Sequence, residues 1–357
     1  MRFQSLLDFV SLVVACVASG TLECSSSQED LTPTQRRGAL LYGRMCAVCH
    51  GRAGDGYAAD QAPALAHPAF LASASDDYLR AAISEGRGGT TMSAWAFERG
   101  GPLFPDDVDA LVSFLRSWDY GPPAALDERP SAGDVERGEG IFARDCVRCH
   151  GTSGVGGPYV HIGGGDFLTR AGNGFLRHAI VAGRPGTPMP AFGSALGIAG
   201  VDDTLALLRS WQSRPVAASQ SLPASPPPLP LGPVPLNPKG PEPIGFELFP
   251  KTTRADVIKG QLDRGARLAL LDARAPSDYM REHIAGAVSV PFYDPQPYVS
   301  ALPRNSWLVC YCACPHAESG QLAQKLQASG FSKVTVLDEG LGFWRAKNYG
   351  THAGLDP

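Results

Sequence analysis

Apolar residues along this chain follow different patterns in its successive parts. An apolar stretch lies within MRFQSLLDFVSLVVACVASG after a single arginine. It is shorter than the roughly 20 residues needed to cross a bilayer. Two similar segments follow, at 31–120 and 131–215, and each closes on apolar residues at helical spacing. These are Leu111, Phe114 and Trp118 in the first and Leu208 and Trp211 in the second. Each segment is predicted to run helix, CxxCH, glycine-rich loop, helix, methionine loop and closing helix, with those apolar side chains in its core. Past residue 245 the apolar positions form short unbroken runs instead: LALLDAR, AVSVPF, WLVCYC and KVTVLDE. Such runs predict buried strands, and helical stretches near 252–265 and 318–328 between them imply a small parallel α/β sheet. The intervening SRPVAASQSLPASPPPLPLGPVPLNPKGPEPIG, from Ser213 to Gly245, cannot form helix or sheet ladders and reads as an extended, semi-rigid spacer.

The predicted layout is therefore an export segment at 1–30, all-α domains at 31–120 and 131–215, a proline-rich linker at 216–245 and an α/β domain at 246–357. At 357 residues the chain is too long for one ordinary core, and 31 prolines with 41 glycines agree with several small domains. A net charge of −4 gives no electrostatic footprint for nucleic acid. The start of the chain has the shape of an export signal. Cys16 follows the small residues VVA and Cys24 precedes the tether-like SSSQED. Either would serve as a lipid anchor to a bacterial membrane, with a simply cleaved signal as the alternative. In both cases the remaining chain is expected outside the cytoplasmic membrane, in the periplasm or on an outer membrane face.

The nine cysteines are not spread as a disulfide framework. CAVCHG at 46–51 returns as CVRCHG at 146–151, inside a longer repeat. RRGALLYGRMCAVCHG matches ERGEGIFARDCVRCHG, and DYLRAAISEGRGGTTMSAWAF matches GFLRHAIVAGRPGTPMPAFGS. Two cysteines three positions apart reach the two vinyl groups on one haem edge, and the adjacent histidine is left beneath the iron. This is the c-type haem attachment pattern. Two covalently bound haem c groups are thus expected, held by Cys46 and Cys49 and by Cys146 and Cys149, with His50 and His150 as axial ligands. A shared Cys₄ zinc site is the competing use of two CxxC pairs. The repeat pairs Met92 with Met189, each in a flexible loop about forty residues past its histidine, and these are the expected sixth ligands. His178 is the rival to Met189, but its counterpart in the first copy is Ala81. Met45 lies on the proximal side of its CxxCH and reads as core.

Residues 31–215 resemble two fused class I cytochrome c domains, through CxxCH, the methionines, Gly38-x-x-x-Tyr42 and Gly138-x-x-x-Phe142. The resemblance implies that these glycines let the closing helix cross closely. It also implies that backbone near Pro63 and Pro158 accepts a hydrogen bond from the proximal imidazole. Met92 lacks the following proline that Met189 has. Residues 245–350 resemble the rhodanese family, through Asp272, Arg274, His283, Ile284, Gly286 and Ala287 and through GFSKVTVLDEGLGFW. In that family the cysteine that ends the central strand carries sulfur as a persulfide, which makes Cys312 the implied catalytic nucleophile. The basic residue usual five or six positions later is replaced by Ala317 and Glu318, and a carboxylate there would repel thiosulfate. Cys314 is placed to resolve a persulfide and His316 to hold a thiolate. His283 reads as structural. The expected function is electron transfer between redox-protein partners, with the last domain binding a sulfur species or a partner. Oxidation of a reduced sulfur compound at Cys312, with the haems as electron acceptors, is the alternative.

Overall fold

A computed structural model describes residues 31–118, 121–213, 234, 237–313 and 316–357. The export segment with Cys16 and Cys24, most of the proline-rich run, and Cys314 lie outside the described residues.

The first helical segment opens with α1 (Pro33–Leu41), where the Thr32 hydroxyl and Gln35 close a reciprocal cap. The helix runs on through a π-helical turn, Tyr42–Cys46, into α2 (Ala47–His50). Then come α3 (Pro68–Leu71), α4 (Asp76–Glu85, capped by Ser75) and α5 (Pro105–Leu115). The second segment repeats this as α6 (Val135–Asp145), α7 (Val147–His150), α8 (Gly165–Arg170), α9 (Asn173–Ala182) and α10 (Gly193–Ser210). Helix α10 is broken at Gly197, whose φ is 60°.

In each segment the first and last helices cross at the expected glycine. A Cβ on Gly38 would lie 2.0 Å from the Ala110 carbonyl oxygen, and one on Gly138 would lie 2.2 Å from that of Asp203. One turn on, Tyr42 packs edge-on to Trp118 and Phe142 edge-on to Trp211, with ring centroids 5.3 and 5.0 Å apart. The two segments also pack on each other, with Tyr78 stacked on Phe175 at 5.0 Å. The Arg87 guanidinium donates to the His161 carbonyl.

The α/β unit holds a five-stranded parallel sheet in the order β1-β6-β5-β2-β4. Its strands are β1 (Thr252–Thr253), β2 (Leu268–Asp272), β4 (Ala287–Ser289), β5 (Trp307–Tyr311) and β6 (Val334–Leu337). A short antiparallel pair joins β3 (His283–Ile284) to β7 (Thr351–His352). Strand β2 is buried at every position, as its unbroken apolar run requires in a sheet covered on both faces. Four more helices cover it: α11 (Ala255–Asp263), α12 (Pro276–Arg281), α13 (Ala317–Ala328) and α14 (Gly340–Ala346).

Two expectations need correction. The helix read from residue 252 starts at Ala255, because Thr252 and Thr253 pair with β6. The spacer reading also fails for its last residues. Asn237 donates to the Gly265 carbonyl, and Glu242 bridges Arg267 and Lys333, so 237–245 is strapped to the α/β unit. Among the described residues no helix is long and apolar enough to cross a membrane.

Because the crossing leaves no room for a side chain, Gly38→Ala and Gly138→Ala should each destabilise their helical segment by about 1–3 kcal/mol. Gly140→Ala, on α6 with open space around it, should instead be neutral or stabilising by up to about 1 kcal/mol. Denaturant midpoints of the three variants test this contrast.

Candidate functional site

Each CxxCH follows directly from its first helix, so the crossing at Gly38 or Gly138 decides where the thiols and imidazole end up. His50 and His150 are buried. Nδ1 of His50 lies 2.9 Å from the Pro63 carbonyl oxygen, as expected. Nδ1 of His150 lies 3.0 Å from the carbonyl of Val160, two residues beyond Pro158 and so in the expected stretch of backbone. A carbonyl only accepts, so each imidazole carries its proton on Nδ1 and keeps the Nε2 lone pair for a metal. Burial lowers both imidazoles, which favours the same neutral form. It also pushes the Cys46 thiol up to about 12 and, with help from Asp145, the Cys146 thiol up to about 11. Among the described residues no three His, Cys, Asp or Glu side chains gather as a metal-holding group. The two CxxC pairs therefore do not converge on the Cys₄ alternative.

The two methionine loops share one backbone design. Arg87 N–H donates to the Met92 carbonyl at 3.0 Å, and Arg184 N–H donates to that of Met189 at 2.9 Å. The Thr90 and Thr187 hydroxyls each donate to the carbonyl of that arginine and accept from the methionine N–H. All four CxxC cysteines, both histidines and both methionines border one continuous cavity of about 740 Å³. Met45 is buried and also borders it; His178 does not.

Two half-buried cations face this cavity. Arg87 and Arg184 form no ion pair among the described residues, and Nε of Arg87 is buried without a hydrogen-bond partner. A buried donor atom left so is costly unless an acceptor reaches it.

The wall of the same cavity includes Arg274, Ala313 and Glu318 of the α/β unit. Strand β5 is held by a buried network in which Arg274 Nη2 donates to Asp272 Oδ2 at 2.6 Å and the Tyr311 hydroxyl donates to the same oxygen at 2.8 Å. This aims the next residue, Cys312, at the first turn of α13. Its Sγ lies 3.3 Å from the Ser319 hydroxyl, and the residue is only 1% exposed. Helix α13 packs on α2. The Cys49 thiol is raised first by burial and then by the charge of Glu318, with a smaller part from Cys312.

Two sequence expectations change here. Burial, followed by the neighbouring Cys312, raises Glu318 well above the usual carboxylate range, so its charged form is disfavoured where the sequence suggested a repelling carboxylate. His316 does not hold the cysteine; its Nε2 lies 2.9 Å from Asp338 Oδ1. His283 is structural, fully buried and stacked on Tyr279.

A family model described as cytochrome C oxidase, cbb3-type, subunit III, matches residues 33–115 and 133–206. A second, described as rhodanese-like domain, matches 254–347. The chain carries two cytochrome c segments followed by a rhodanese-like domain. Among curated proteins it is similar to the Cbb3-type cytochrome c oxidase subunit CcoP of Azospirillum brasilense, 27% identical over 200 residues, covering 51% of this chain and 64% of that protein. It is 30% identical over 131 residues to subunit FixP of Bradyrhizobium diazoefficiens, covering 35% and 42%. The chain thus spans less than two thirds of the length of these relatives. Among solved structures, the rhodanese-like domain of an Anabaena protein is 29% identical, with a TM-score of 0.28, over 29% of this chain and 80% of that one.

Cytochrome c segments imply covalently bound haem c, and the residues present fit it. Thiols, a neutral imidazole and a thioether border one largely apolar cavity, and the half-buried Arg87 and Arg184 on its wall offer cations that would suit the group's carboxylates. Arg87 and Arg184 are the site residues that sequence reasoning passed over, although the repeated Gly-Arg of EGRGGTTM and AGRPGTPM carried the signal. Replacing Arg184 with Met removes positive charge beside the second site and should lower one reduction midpoint, leaving the other nearly unchanged. A redox titration followed by absorbance reads both.

Proposed function

We propose that this protein is an exported dihaem electron carrier, with one haem c on Cys46, Cys49, His50 and Met92 and another on Cys146, Cys149, His150 and Met189. The observation that carries this reading is that both donor sets border the same cavity, so the two centres face each other inside one protein interior. Haem c supplies one-electron chemistry at each site. The chain orients each imidazole through a backbone carbonyl, would offer Met92 and Met189 as the second ligands, and surrounds the sites with a largely apolar wall. A closed sixth position suits electron transfer rather than binding of a small molecule. The partners are a redox-protein donor and acceptor, in keeping with relatives named as oxidase subunits. The setting is outside a bacterial cytoplasmic membrane, reached through the export segment and an anchor at Cys16 or Cys24.

The intact mass of exported protein should exceed the mature polypeptide by two haem groups that resist acid–acetone extraction. The weak sulfur-to-iron band of the oxidised protein should fall by about half in Met92→Ala and again by about half in Met189→Ala. A single haem, or bands unchanged in both variants, would refute this assignment.

A second reading is favoured by the position of Cys312. Its loop borders the haem cavity beside α2, and its sulfur sits at the N-terminal turn of α13, where backbone N–H groups favour an anion. In this reading Cys312 carries sulfur as a persulfide, taken from a persulfide or polysulfide donor. The Cys312 sulfur attacks the donor's outer sulfur, that S–S bond breaks, and the donor leaves as a thiol. Haem c held at the two sites would supply one-electron acceptors, one for each of the two electrons released when a hydrosulfide and the Cys312 thiolate join as the same persulfide with loss of a proton. Exposure to polysulfide should add the mass of one sulfur at Cys312, with no addition in Cys312→Ser. Thiosulfate turnover with cyanide should stay poor, because the cavity offers Glu318 where a cation is usual. No sulfur gained at Cys312 would leave the last domain as a docking module.

A further inference from the structure

The two methionine loops share their hydrogen bonds up to the methionine and then part. In the second copy Met189 is followed by Pro190, which sets its own φ and restricts the backbone of the residue before it. In the first copy the equivalent residue is Ser93, with no such constraint of its own. The loop nevertheless keeps the same path: Trp95 N–H donates to the Ile83 carbonyl as Phe192 N–H donates to that of Ile180. Gly86 and Gly183 meet equivalent backbone, at Met92–Ala94 and Pro190–Ala191.

What replaces the proline comes from the other end of the chain. The Ser93 hydroxyl donates to Asp278 Oδ2 at 2.5 Å, and the Ser277 hydroxyl donates to the Ala94 carbonyl at 2.8 Å. Both bonds are buried; Ser93 is 2% exposed and Ser277 is fully covered. The second oxygen of Asp278 is held by Arg281 at 2.8 Å, which orients the carboxylate. Around this pair Trp95 packs on Tyr293 at 5.6 Å, and Met280 fills the space against Gly100. Buried hydrogen bonds of this kind are costly to break, because each partner is stranded away from water.

We infer that Asp278 and Ser277, on α12 of the rhodanese-like domain, are positioning residues that hold the Met92 loop of the first haem site, in place of the proline that holds the Met189 loop of the second. The inference rests on the reading of Met92 as a sixth ligand. It makes the ligand field of the first haem depend on the last domain, whereas the Met189 loop meets the first cytochrome segment instead, with His67 Nε2 2.9 Å from the Pro185 carbonyl oxygen. It also gives the rhodanese-like domain an effect on the cytochrome that needs no sulfur chemistry.

The test uses the full-length holoprotein with Asp278→Ala, Asp278→Asn, Ser93→Ala and the double variant Asp278→Ala/Ser93→Pro. Asp278→Ala and Ser93→Ala should each lower the sulfur-to-iron band by up to half and move one of the two reduction midpoints. Asp278→Asn keeps an acceptor oxygen and should retain most of the band. No backbone hydrogen bond is donated by Ser93 N–H among the described residues, and Pro190 holds the equivalent position on the same loop path, so the double variant should regain the band. If Asp278→Ala fails to fold, Ser93→Ala removes the same bond without touching the α/β unit and decides the matter. A band that Met92→Ala halves but both Asp278→Ala and Ser93→Ala leave intact overturns this inference alone. Absence of the band from the unmodified protein overturns the ligand assignment and this inference with it.

Discussion

The crossing of the first and last helix in each cytochrome segment, with Gly38 against Ala110 and Gly138 against Asp203, is the contact from which the rest follows. It sets the direction in which α1 and α6 deliver their CxxCH motifs. The imidazoles thereby come within reach of the Pro63 and Val160 carbonyls. The same crossing brings Trp118 and Trp211 onto Tyr42 and Phe142, so each closing helix seals the core behind its site. A side chain at either glycine would push the helices apart, and the effect would reach the imidazole through a rigid element.

Within that repeated frame the two copies are not equivalent. The second is tied to the residues that join it to the first: buried Arg177 donates to the carbonyls of Asp127 and Arg129 while pairing with Asp202. The first is tied to the rhodanese-like domain, through Ser93, Ala94 and the Arg44–Asp294 ion pair. Most of the strength at that junction lies in its buried part. The Arg44–Asp294 pair is exposed on both sides, and such pairs contribute only about 0–1 kcal/mol. The buried hydroxyl bonds and the Trp95–Tyr293 contact matter more.

The rhodanese-like domain brings its own polar core to the junction. Asp272, Arg274 and Tyr311 are buried together, and each satisfies another, which is the condition under which buried charge is tolerated. This network ends β5 at a defined point and places Cys312 against Ser319. Its neighbours Ala313 and Glu318 then open on the cavity that the two CxxCH motifs share. The raised Glu318 carboxyl follows from that placement, since a carboxyl buried against the cytochrome loses the water that would favour its charge.

Much of this organisation was legible in the sequence, because local rules suffice for it. CxxCH places two thiols and an imidazole by covalent geometry alone, and the repeat identifies Met92 with Met189 by register. The runs LALLDAR, WLVCYC and KVTVLDE read as buried strands because a parallel sheet is covered on both faces. Three other features were not legible, since each depends on contacts between residues far apart in the chain. Glu318 looks like an ordinary first-turn acid until α13 packs on α2 and strips its water. His316 looks like a partner for Cys312 until the left-handed turn at its own backbone sends it to Asp338. The absent proline after Met92 looks like a weakness of the first copy until Asp278, 185 residues away, is seen to bond Ser93. The sequence by itself determined the chemistry of each site and the order of the domains, through spacing and periodicity. Only the tertiary structure decided that the sites share one cavity and that the last domain holds the first methionine loop, because burial and hydrogen-bond partners are set by packing between domains.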